Sequence, residues 1–493
     1  MNYESILKEL RPTPEEIKAV HATTEKVIDF INETCKKEGI DAKANAVGSV
    51  AKNTWLSGNS DIDIFISFPY DYEMDYLKTK GLYLAYETNK ALKGTASEHY
   101  ASHPYLTCDI DGFEVDIVPC YDLTGGKPIK SAVDRTILHT NYIQEHLSKE
   151  QEDEVLLLKK FMAAVGTYGS EFKTGGFAGY LCELLILKYG TFENTLRAAQ
   201  NWKYNTVIDL ENYGTEEDFK RDPLACIDPT DKNRNVGAAL RIERFVDFIV
   251  ASRNFLDILD DSELDGDKKQ EKIIEFFRPL HKEHLDKPNE EIAKDILSRF
   301  KDRETQTLVI KFPIPEMSAD ALHPQLLKTI KSICEKIDME EFSVFKYAYW
   351  TDEEEYVIFT IELNVFKQGK FYIHKGPKVW PKKACENFKE KWQDAVYPLD
   401  EFMVLTNERP FKTAEDFIND MLDNNIHIIK VGKSIKDALR DKDIRKIIEI
   451  DEFLNDLDSQ FDYDTSNNTG EELARDYLNS LDDFLNPGQY IKR

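Results

Sequence analysis

The amino-acid sequence predicts a multidomain α+β protein, and three observations support this fold class. The chain has 493 residues, which corresponds to roughly three domains of ordinary size. Short strand patterns and a hairpin signal occur between positions 44 and 118, whereas a period of 3.6 residues follows from about position 150. The remainder mixes both patterns, so we expect a strand-rich first part, a helical centre and a mixed α/β remainder.

The first part begins with a helix. Thr13, Pro14 and Glu16 match an N-cap, a proline in the first turn and a capping-box acid, and Gly39 is placed to end the helix. Strands are predicted at 44–47 and 61–68, and a hairpin at 105–118 around Asp111-Gly112. Later helices are predicted at 155–164, 177–189, 192–202, 326–337 and 413–422, with strands at 306–312 and 356–363.

Composition excludes several classes of protein. The chain is 41% hydrophobic and 31% charged, as expected of a soluble globular protein. It contains no apolar run long enough to span a membrane and no signal-peptide core. Its seven cysteines are scattered without a CxxC pair, which favours reduced thiols in the cytoplasm and argues against a structural zinc site.

The charge is uneven along the chain. A net charge of −27 weighs against a nucleic-acid-binding protein, because phosphate contacts need lysine and arginine. Residues 366–391, however, carry eight lysines against two acids, interleaved with aromatic residues. Binding follows the local field, so an RNA partner stays open. Residues 451–493 carry 11 acids against three bases, a composition that predicts a partly mobile extension.

Three aspartates in the first part are candidate metal ligands. Asp61 and Asp63 share one face of a predicted strand because side chains alternate along a strand. Asp116 lies on the polar face of the hairpin, between strong strand formers where aspartate is uncommon. Such carboxylates repel one another unless cations lie between them, and two-metal phosphoryl transfer uses this kind of ligand set.

Gly48-Ser49 lies between a predicted strand and a short helix. There the backbone N–H groups can approach a phosphate. A solvated strand edge would explain the Asp-x-Asp pair alone, and an ordinary turn would explain Gly-Ser alone. Their order within residues 48–63, followed by Asp116, favours a nucleotidyl-transfer site.

Other motifs are incomplete. Val431-Gly432-Lys433-Ser434 resembles the end of a P-loop, but His427 stands where the upstream glycine is required. The glycine-rich run at 174–179 opens a helix in a helical region, which suits close packing and not a dinucleotide site. No HExxH motif is present, which argues against a zinc hydrolase.

The chain resembles the archaeal-type (class I) CCA-adding enzymes in motifs spread over most of its length, most strongly over 40–240. These motifs are GSVAKNTWL at 48–56, SDIDIF at 60–65, HPY at 103–105, VDIVPCY at 115–121, SAVDRT at 131–136, GFAGYLCE at 176–183 and DPTDKNRNV at 228–236, and more weakly PQL at 324–326 and VGKSI at 431–435. The resemblance implies a polymerase-β-like nucleotidyltransferase head (1–142), a helical central domain that recognises the nucleobase (143–256), an α/β body and tail that bind tRNA (257–450) and an acidic C-terminal extension (451–493).

The resemblance further implies a tRNA nucleotidyltransferase that adds or repairs the 3′-terminal CCA from CTP and ATP without a template, and it is compatible with a homodimer. Asp61, Asp63 and Asp116 would be the catalytic residues and would hold two Mg²⁺ ions. Arg234 would read the incoming base, and the acceptor and T arms of tRNA would contact the basic segment. The other implied nucleotide-binding residues are Gly48, Ser49, Lys52, His103, His139, Lys159 and Tyr168, and those implied for tRNA are Lys378, Lys382 and Lys383.

Two positions depart from the family pattern. Lys52 stands where arginine is common, which keeps the charge but loses bidentate phosphate geometry. Asp61 stands where glutamate is frequent, and it can still ligate a metal. Two rival functions remain, a poly(A) or oligoadenylate polymerase and a non-catalytic RNA-binding descendant.

Roles without any function at the nucleotide also stay open for four residues: a surface histidine at 139, a solvated lysine at 159, a core tyrosine at 168 and a structural ion pair at Arg234. The lysines of 366–391 could equally belong to a strand pair whose lysine side chains extend into solvent.

Overall fold

The computed structural model describes residues 1–100 and 104–492, and the chain divides into two compact units. The first unit comprises Met1–Leu280 with Gly488–Arg493, and the second comprises His281–Pro487. Each unit contains its own hydrophobic cores and combines helices with sheets, as the predicted α+β class requires. The finer division into four segments stays a prediction.

The first unit contains ten helices and eight strands among its described residues. The helices are α1 (Glu4–Leu10), α2 (Pro14–Glu38), α3 (Gly48–Ala51), α4 (Met74–Leu92), α5 (Arg135–His146), α6 (Lys149–Ala164), α7 (Gly179–Tyr189), α8 (Phe192–Ala199), α9 (Ile242–Asp260) and α10 (Gly266–Glu275). The strands are β1 (Lys43–Val47), β2 (Ile62–Phe68), β3 (Thr95–Tyr100), β4 (Pro104–Ile110), β5 (Phe113–Tyr121), β6 (Thr206–Ile208), β7 (Leu224–Asp228) and β8 (Asp231–Asn235).

A five-stranded sheet, in the order β1-β2-β5-β4-β3, forms the base of the N-terminal part. Strands β2 and β5 run parallel, and the other neighbours are antiparallel. The predicted first helix is confirmed, with Thr13 and Glu16 forming the capping box and Gly39 ending α2 in the left-handed region. The Asp111-Gly112 hairpin is also confirmed, and both turn residues have positive φ, as a type I′ turn requires.

Helices α6 to α10 enclose a core of interlocking phenylalanines. Phe161 lies at its centre and packs edge-on against Phe192, Phe248, Phe255 and Phe277, with ring centroids 5.5 to 6.2 Å away. The predicted helices at 155–164, 177–189 and 192–202 are confirmed, although α8 ends earlier, at Ala199. The small sheet β6-β7-β8 beside this core was not predicted.

The second unit contains eight helices and seven strands among its described residues. The helices are α11 (Asn289–Lys301), α12 (Ala319–Met339), α13 (Lys382–Trp392), α14 (Ala414–Asp423), α15 (Lys433–Arg440), α16 (Ile450–Asn455), α17 (Leu457–Gln460) and α18 (Gly470–Leu485). The strands are β9 (Gln306–Pro313), β10 (Ser343–Thr351), β11 (Tyr356–Val365), β12 (Phe371–Lys378), β13 (Val396–Leu399), β14 (Phe402–Glu408) and β15 (Lys446–Glu449). They form a four-stranded sheet, β10-β11-β9-β15, and a three-stranded sheet, β12-β14-β13.

The prediction of a mobile acidic extension is wrong. Helices α16 to α18 pack with α11 into a core in which Phe453, Tyr477 and Leu478 are fully buried. Helix α18 opens with a capping box between Thr469 and Glu472. Most acids of this segment lie on the exposed faces of amphipathic helices, with Asp482 buried, so a composition typical of disorder conceals a regular apolar stripe. No helix in the described part of the chain is long and apolar enough to cross a membrane.

Candidate active site

Two of the predicted carboxylates are neighbours on parallel strands. Asp63 of β2 stands opposite Asp116 of β5 in the strand register. Asp61 is exposed and lies one residue before β2, so the predicted strand begins one residue too early. Burial, followed by the charges of Asp116 and Asp61, raises the pKa of Asp63 to about 7. The pKa of Asp116 is also raised, mainly by burial.

Two carboxylates in register on adjacent strands repel each other, and among the described residues neither forms a salt bridge. Thr107 Oγ1 of β4 donates to Asp116 Oδ1 at 2.5 Å and orients that carboxylate. Oxygen donors with uncompensated charge are the ligand set that hard divalent cations prefer. The residues present therefore fit a divalent metal site.

Gly48 is required by the neighbouring carboxylate. Its φ is +72°, and a Cβ built there would lie 1.9 Å from Asp63 Oδ2. The Gly48 N–H donates to Thr140 Oγ1 of α5 at 3.3 Å. The structure thus gives this glycine a second reason, the close approach of Asp63, and its predicted approach to a phosphate stays a prediction.

Lys52 and Lys159 converge on a glutamate that the sequence prediction did not select. Glu183 of α7 is fully buried, and Lys52 Nζ donates to its Oε2 at 2.6 Å. Thr54 Oγ1 donates to Glu183 Oε1 at 2.6 Å, and Lys159 Nζ lies 3.8 Å from the same oxygen. Lys159 also donates to the carbonyl of Thr54, so it is not a solvated lysine. Burial lowers its pKa.

His139 and Arg234 meet at a second buried acid. His139 Nε2 and Arg234 Nη1 lie 2.8 and 2.9 Å from Asp228 Oδ2. The His139 ring stacks on Tyr180, with centroids 4.0 Å apart. The histidine is therefore not an ordinary surface residue. Arg234 forms an ion pair with Asp228, and its role in reading the base stays a prediction. Both side chains line a cleft of about 410 Å³.

The remaining predicted residues are placed as follows. Tyr168 is partly buried, and its hydroxyl would lie 3.2 Å from a Cβ on Gly179 at the start of α7. Ser49 belongs to the short helix α3. His103 lies outside the described residues. The sequence prediction did not select Glu183, Asp228 or Tyr180 as site residues. Two of them carried a signal: Glu183 is an acid inside an otherwise apolar helix, and Asp228 is an acid at the end of an apolar strand.

The basic segment of the second unit has one open face. In β12, His374 stacks on Phe388 of α13, whereas Phe371 and Ile373 alternate with it and are 58% and 53% exposed. Trp380 is 74% exposed. Lys378 pairs with Glu401 at 3.0 Å and Lys382 with Glu386 at 3.8 Å, both at the surface. Lys383 is exposed.

Among the described residues, one group of possible metal ligands has all its ligand atoms within 4.8 Å of one another. This group consists of His281, Glu283 and Asp482 of the second unit. Arg299 Nη1 already lies 2.7 Å from Asp482 Oδ1. Burial opposes protonation of His281, but Asp482 and Asp483 raise its pKa to about 9. Two protein cations thus neutralise this group. The ligand oxygens of Asp61, Asp63 and Asp116 do not all lie within 4.8 Å of one another.

Comparisons with known proteins agree with this geometry. Residues 27–139 match the nucleotidyltransferase domain, 153–263 the second domain of tRNA nucleotidyltransferase, and 303–446 the C-terminal domain of the CCA-adding enzyme. The fold and the carboxylate pair thus define a nucleotidyltransferase, an enzyme class that uses nucleotide substrates and a divalent metal.

Curated relatives identify the family. A CCA-adding enzyme of Methanothermobacter thermautotrophicus is 39% identical over 100% of this chain and 99% of its own length. Those of Methanosarcina barkeri and Methanocaldococcus jannaschii are 38% and 34% identical, covering 79% and 88% of this chain and 81% and 92% of their own. The chain belongs to the CCA-adding enzyme family. A solved structure of the Cid1 poly(U) polymerase matches 56% of this chain and 97% of its own at 15% identity and a TM-score of 0.45, too remote to bear on function.

Proposed function

We propose that this chain adds and repairs the 3′-terminal CCA of tRNA from CTP and ATP, without a template and with release of pyrophosphate. The observation that carries the proposal is the pairing of Asp63 with Asp116 on parallel strands, with Gly48 packed against Asp63. In the reaction the tRNA 3′-oxygen attacks the α-phosphorus, and the bond between the α- and β-phosphates breaks. Family membership favours this reaction over a poly(A)-type polymerase or an inactive RNA-binding descendant.

Asp61, Asp63 and Asp116 would hold two Mg²⁺ ions. When bound, these ions supply charge neutralisation of the triphosphate and a lowered pKa of the attacking 3′-hydroxyl. The chain's own part is to hold the three carboxylates in place. Thr107 fixes the orientation of Asp116, and the absence of a side chain at Gly48 leaves room for the carboxylate of Asp63.

Residues from both sides of this pair would hold the nucleotide. Gly48 and Ser49 would bind the outer phosphates, with the N–H groups that begin α3. Lys52, which lies on the same glutamate as Lys159, would direct its positive charge toward the triphosphate. His139, Tyr168 and His103 would line the nucleotide, and Arg234 would read the base.

End-sequencing of the product distinguishes the candidate functions. Purified protein is incubated with tRNA lacking CCA and with CTP, ATP or both. We expect a complete CCA end only with both nucleotides, cytidines alone with CTP, and no extension with ATP alone. Extension by ATP alone would identify a poly(A)-type polymerase. No extension in any mixture would identify an inactive descendant.

The open face of β12, with Trp380 and the lysines at 378, 382 and 383, would contact the acceptor and T arms of tRNA. Exposed aromatics next to cations suit base or sugar stacking and phosphate contacts. The pairs of Lys378 and Lys382 with glutamates lie at the surface, where such pairs contribute little, so phosphate can replace the glutamates.

Charge reversal tests this surface. Substituting Lys378, Lys382 and Lys383 by Glu should raise KM for tRNA and leave KM for ATP unchanged. Lys36→Glu with Lys37→Glu, at exposed positions on α2, is the control and should leave both constants unchanged. An unaltered KM for tRNA in the triple variant would remove this surface from the tRNA site.

We also infer a cytoplasmic reaction, because all seven cysteines are free thiols and thiols persist in reducing compartments. A homodimer is implied by the family resemblance alone. Sedimentation of the purified chain over a range of concentrations tests it, and a single monomeric species throughout would exclude a stable dimer.

A further inference from the structure

Asp228 connects two of the residues that the proposed function places at the nucleotide. Its side chain is fully buried. Its Oδ2 accepts hydrogen bonds from His139 Nε2 at 2.8 Å and from Arg234 Nη1 at 2.9 Å. Its Oδ1 accepts from the Thr230 N–H at 2.9 Å and from Thr230 Oγ1 at 2.8 Å. Four donors therefore fix the orientation of both carboxylate oxygens.

The charge state of Asp228 determines the proton on His139. Burial opposes ionisation of Asp228, but hydrogen bonds from His139 and Thr230 lower its pKa to about 2. An ionised carboxylate only accepts hydrogen bonds, so His139 Nε2 carries a proton. Burial lowers the pKa of His139, so the ring is neutral at neutral pH and Nδ1 is an acceptor. Stacking on Tyr180 at 4.0 Å fixes the plane of the ring.

Arg234 is held by one nitrogen. Its Nη1 pairs with Asp228, and among the described residues its other N–H groups have no hydrogen-bond partner. The side chain is 34% exposed and lines the cleft of about 410 Å³ together with His139 and Tyr180. In the described part of the chain the buried Tyr180 hydroxyl also lacks a partner. The cleft thus presents donors for which the protein supplies no acceptor.

We propose that Asp228 is a positioning residue for base selection, which holds the Arg234 guanidinium so that its free N–H groups meet cytosine or adenine. This inference rests on the proposed function, in which Arg234 contacts the incoming base. Cytosine and adenine carry a ring-nitrogen acceptor at the centre of the Watson–Crick edge, whereas uracil and guanine carry an N–H donor there. A guanidinium fixed in one orientation pairs with the acceptor and opposes the donor, but a mobile one can turn toward the exocyclic oxygens of uracil and guanine.

Asp228→Asn tests the proposal with little change of shape. The amide oxygen can keep both hydrogen bonds from Thr230, and the amide N–H can donate to His139 after a change of tautomer. Arg234 Nη1 then faces a donor and has no charge partner. We expect the ratios of kcat/KM for CTP over UTP and for ATP over GTP to fall roughly ten- to hundredfold, the range of a lost charged hydrogen bond.

The matched control is Asp231→Asn, the same substitution on the same hairpin. Asp231 pairs with Arg135 at 3.3 Å and not with Arg234. This control should leave both ratios unchanged. If Asp228→Asn shows no cooperative unfolding transition, Asp228→Glu keeps the charge while moving the carboxylate by one methylene, and it should lower the ratios as well.

Three outcomes distinguish the positioning role of Asp228 from the proposed reading of the base by Arg234. Unchanged ratios in a folded Asp228 variant would overturn the positioning role while leaving CCA addition in place. Arg234→Lys should lower the ratios under the proposed function, since lysine lacks the guanidinium fork. Unchanged ratios in Arg234→Lys would overturn base reading by Arg234 and the inference with it.

Discussion

Gly48→Ala separates backbone strain from displacement of the Asp63 carboxylate. Gly48 has φ +72°, a conformation that costs a residue with a Cβ about 1–2 kcal/mol. The new Cβ would also lie 1.9 Å from Asp63 Oδ2, whereas ordinary contact begins at 3.4 Å, so the carboxylate must move by the difference. Displacement of a reacting group by about 1 Å can cost on the order of 100-fold in rate. We therefore expect a modest loss of stability and at least about a 100-fold loss of nucleotide addition.

Gly39→Ala is the matched control. Gly39 has φ +68°, and a Cβ there would have no atom within 4 Å. Both variants should lose about 1–2 kcal/mol in urea unfolding, but only Gly48→Ala should lose activity in a single-turnover assay of CMP addition. Equal activities in the two variants would refute the assignment of Gly48 to Asp63.

Three further variants test the buried contacts and the second unit. Glu183→Gln leaves Lys52 and Lys159 without their carboxylate and should destabilise the chain by about 3–5 kcal/mol. Its control is Glu290→Gln, in an exposed pair with Lys294, which should change the unfolding midpoint little. Equal unfolding midpoints for the two variants would show that Glu183 is not a buried ion-pair partner. Leu478→Ala in α18 should lower the free energy of unfolding by about 2–5 kcal/mol. An unchanged melting curve would support the prediction that residues 451–493 are mobile. Mg²⁺ should raise the melting temperature of the wild-type protein but not that of Asp63→Asn, and equal shifts would separate the metal from Asp63.

Local patterns predicted the elements that carry the carboxylates. The capping box at Thr13, the turn at Asp111-Gly112 and the alternation around Asp61 and Asp63 each depend on neighbours within a few residues, and the structure contains all three elements. Such signals are local because caps and tight turns are closed by hydrogen bonds between nearby residues.

Contacts between distant residues escaped prediction. Glu183 meets Lys52 from 131 positions away, and Asp228 meets His139 from 89 positions away. From the sequence alone, these lysine and histidine side chains could equally have been solvated. The sequence also could not indicate that Gly48 accommodates the side chain of Asp63, because that contact depends on the pairing of β1 with β2.

The extension after residue 450 illustrates the limit of composition. Its acids suggested disorder, yet Leu473, Tyr477, Leu481 and Phe484 recur at helical spacing and are buried in a common core. The period of the apolar residues, and not the charge, was the informative signal. The net charge of −27 likewise conveyed nothing about the local basic segment.

Asp116→Asn is the direct test of nucleotidyl transfer at the carboxylate pair. Asparagine can still accept the hydrogen bond that Thr107 donates to Asp116 Oδ1, so the fold should persist, but the pair loses a negative charge. The control is Asp109→Asn, at an exposed position on the adjacent strand β4. In single-turnover addition of CMP to tRNA lacking CCA, we expect Asp116→Asn to abolish pyrophosphate release while nucleotide binding persists, and Asp109→Asn to match the wild type. Pyrophosphate release by Asp116→Asn at the wild-type rate would contradict nucleotidyl transfer at this carboxylate pair.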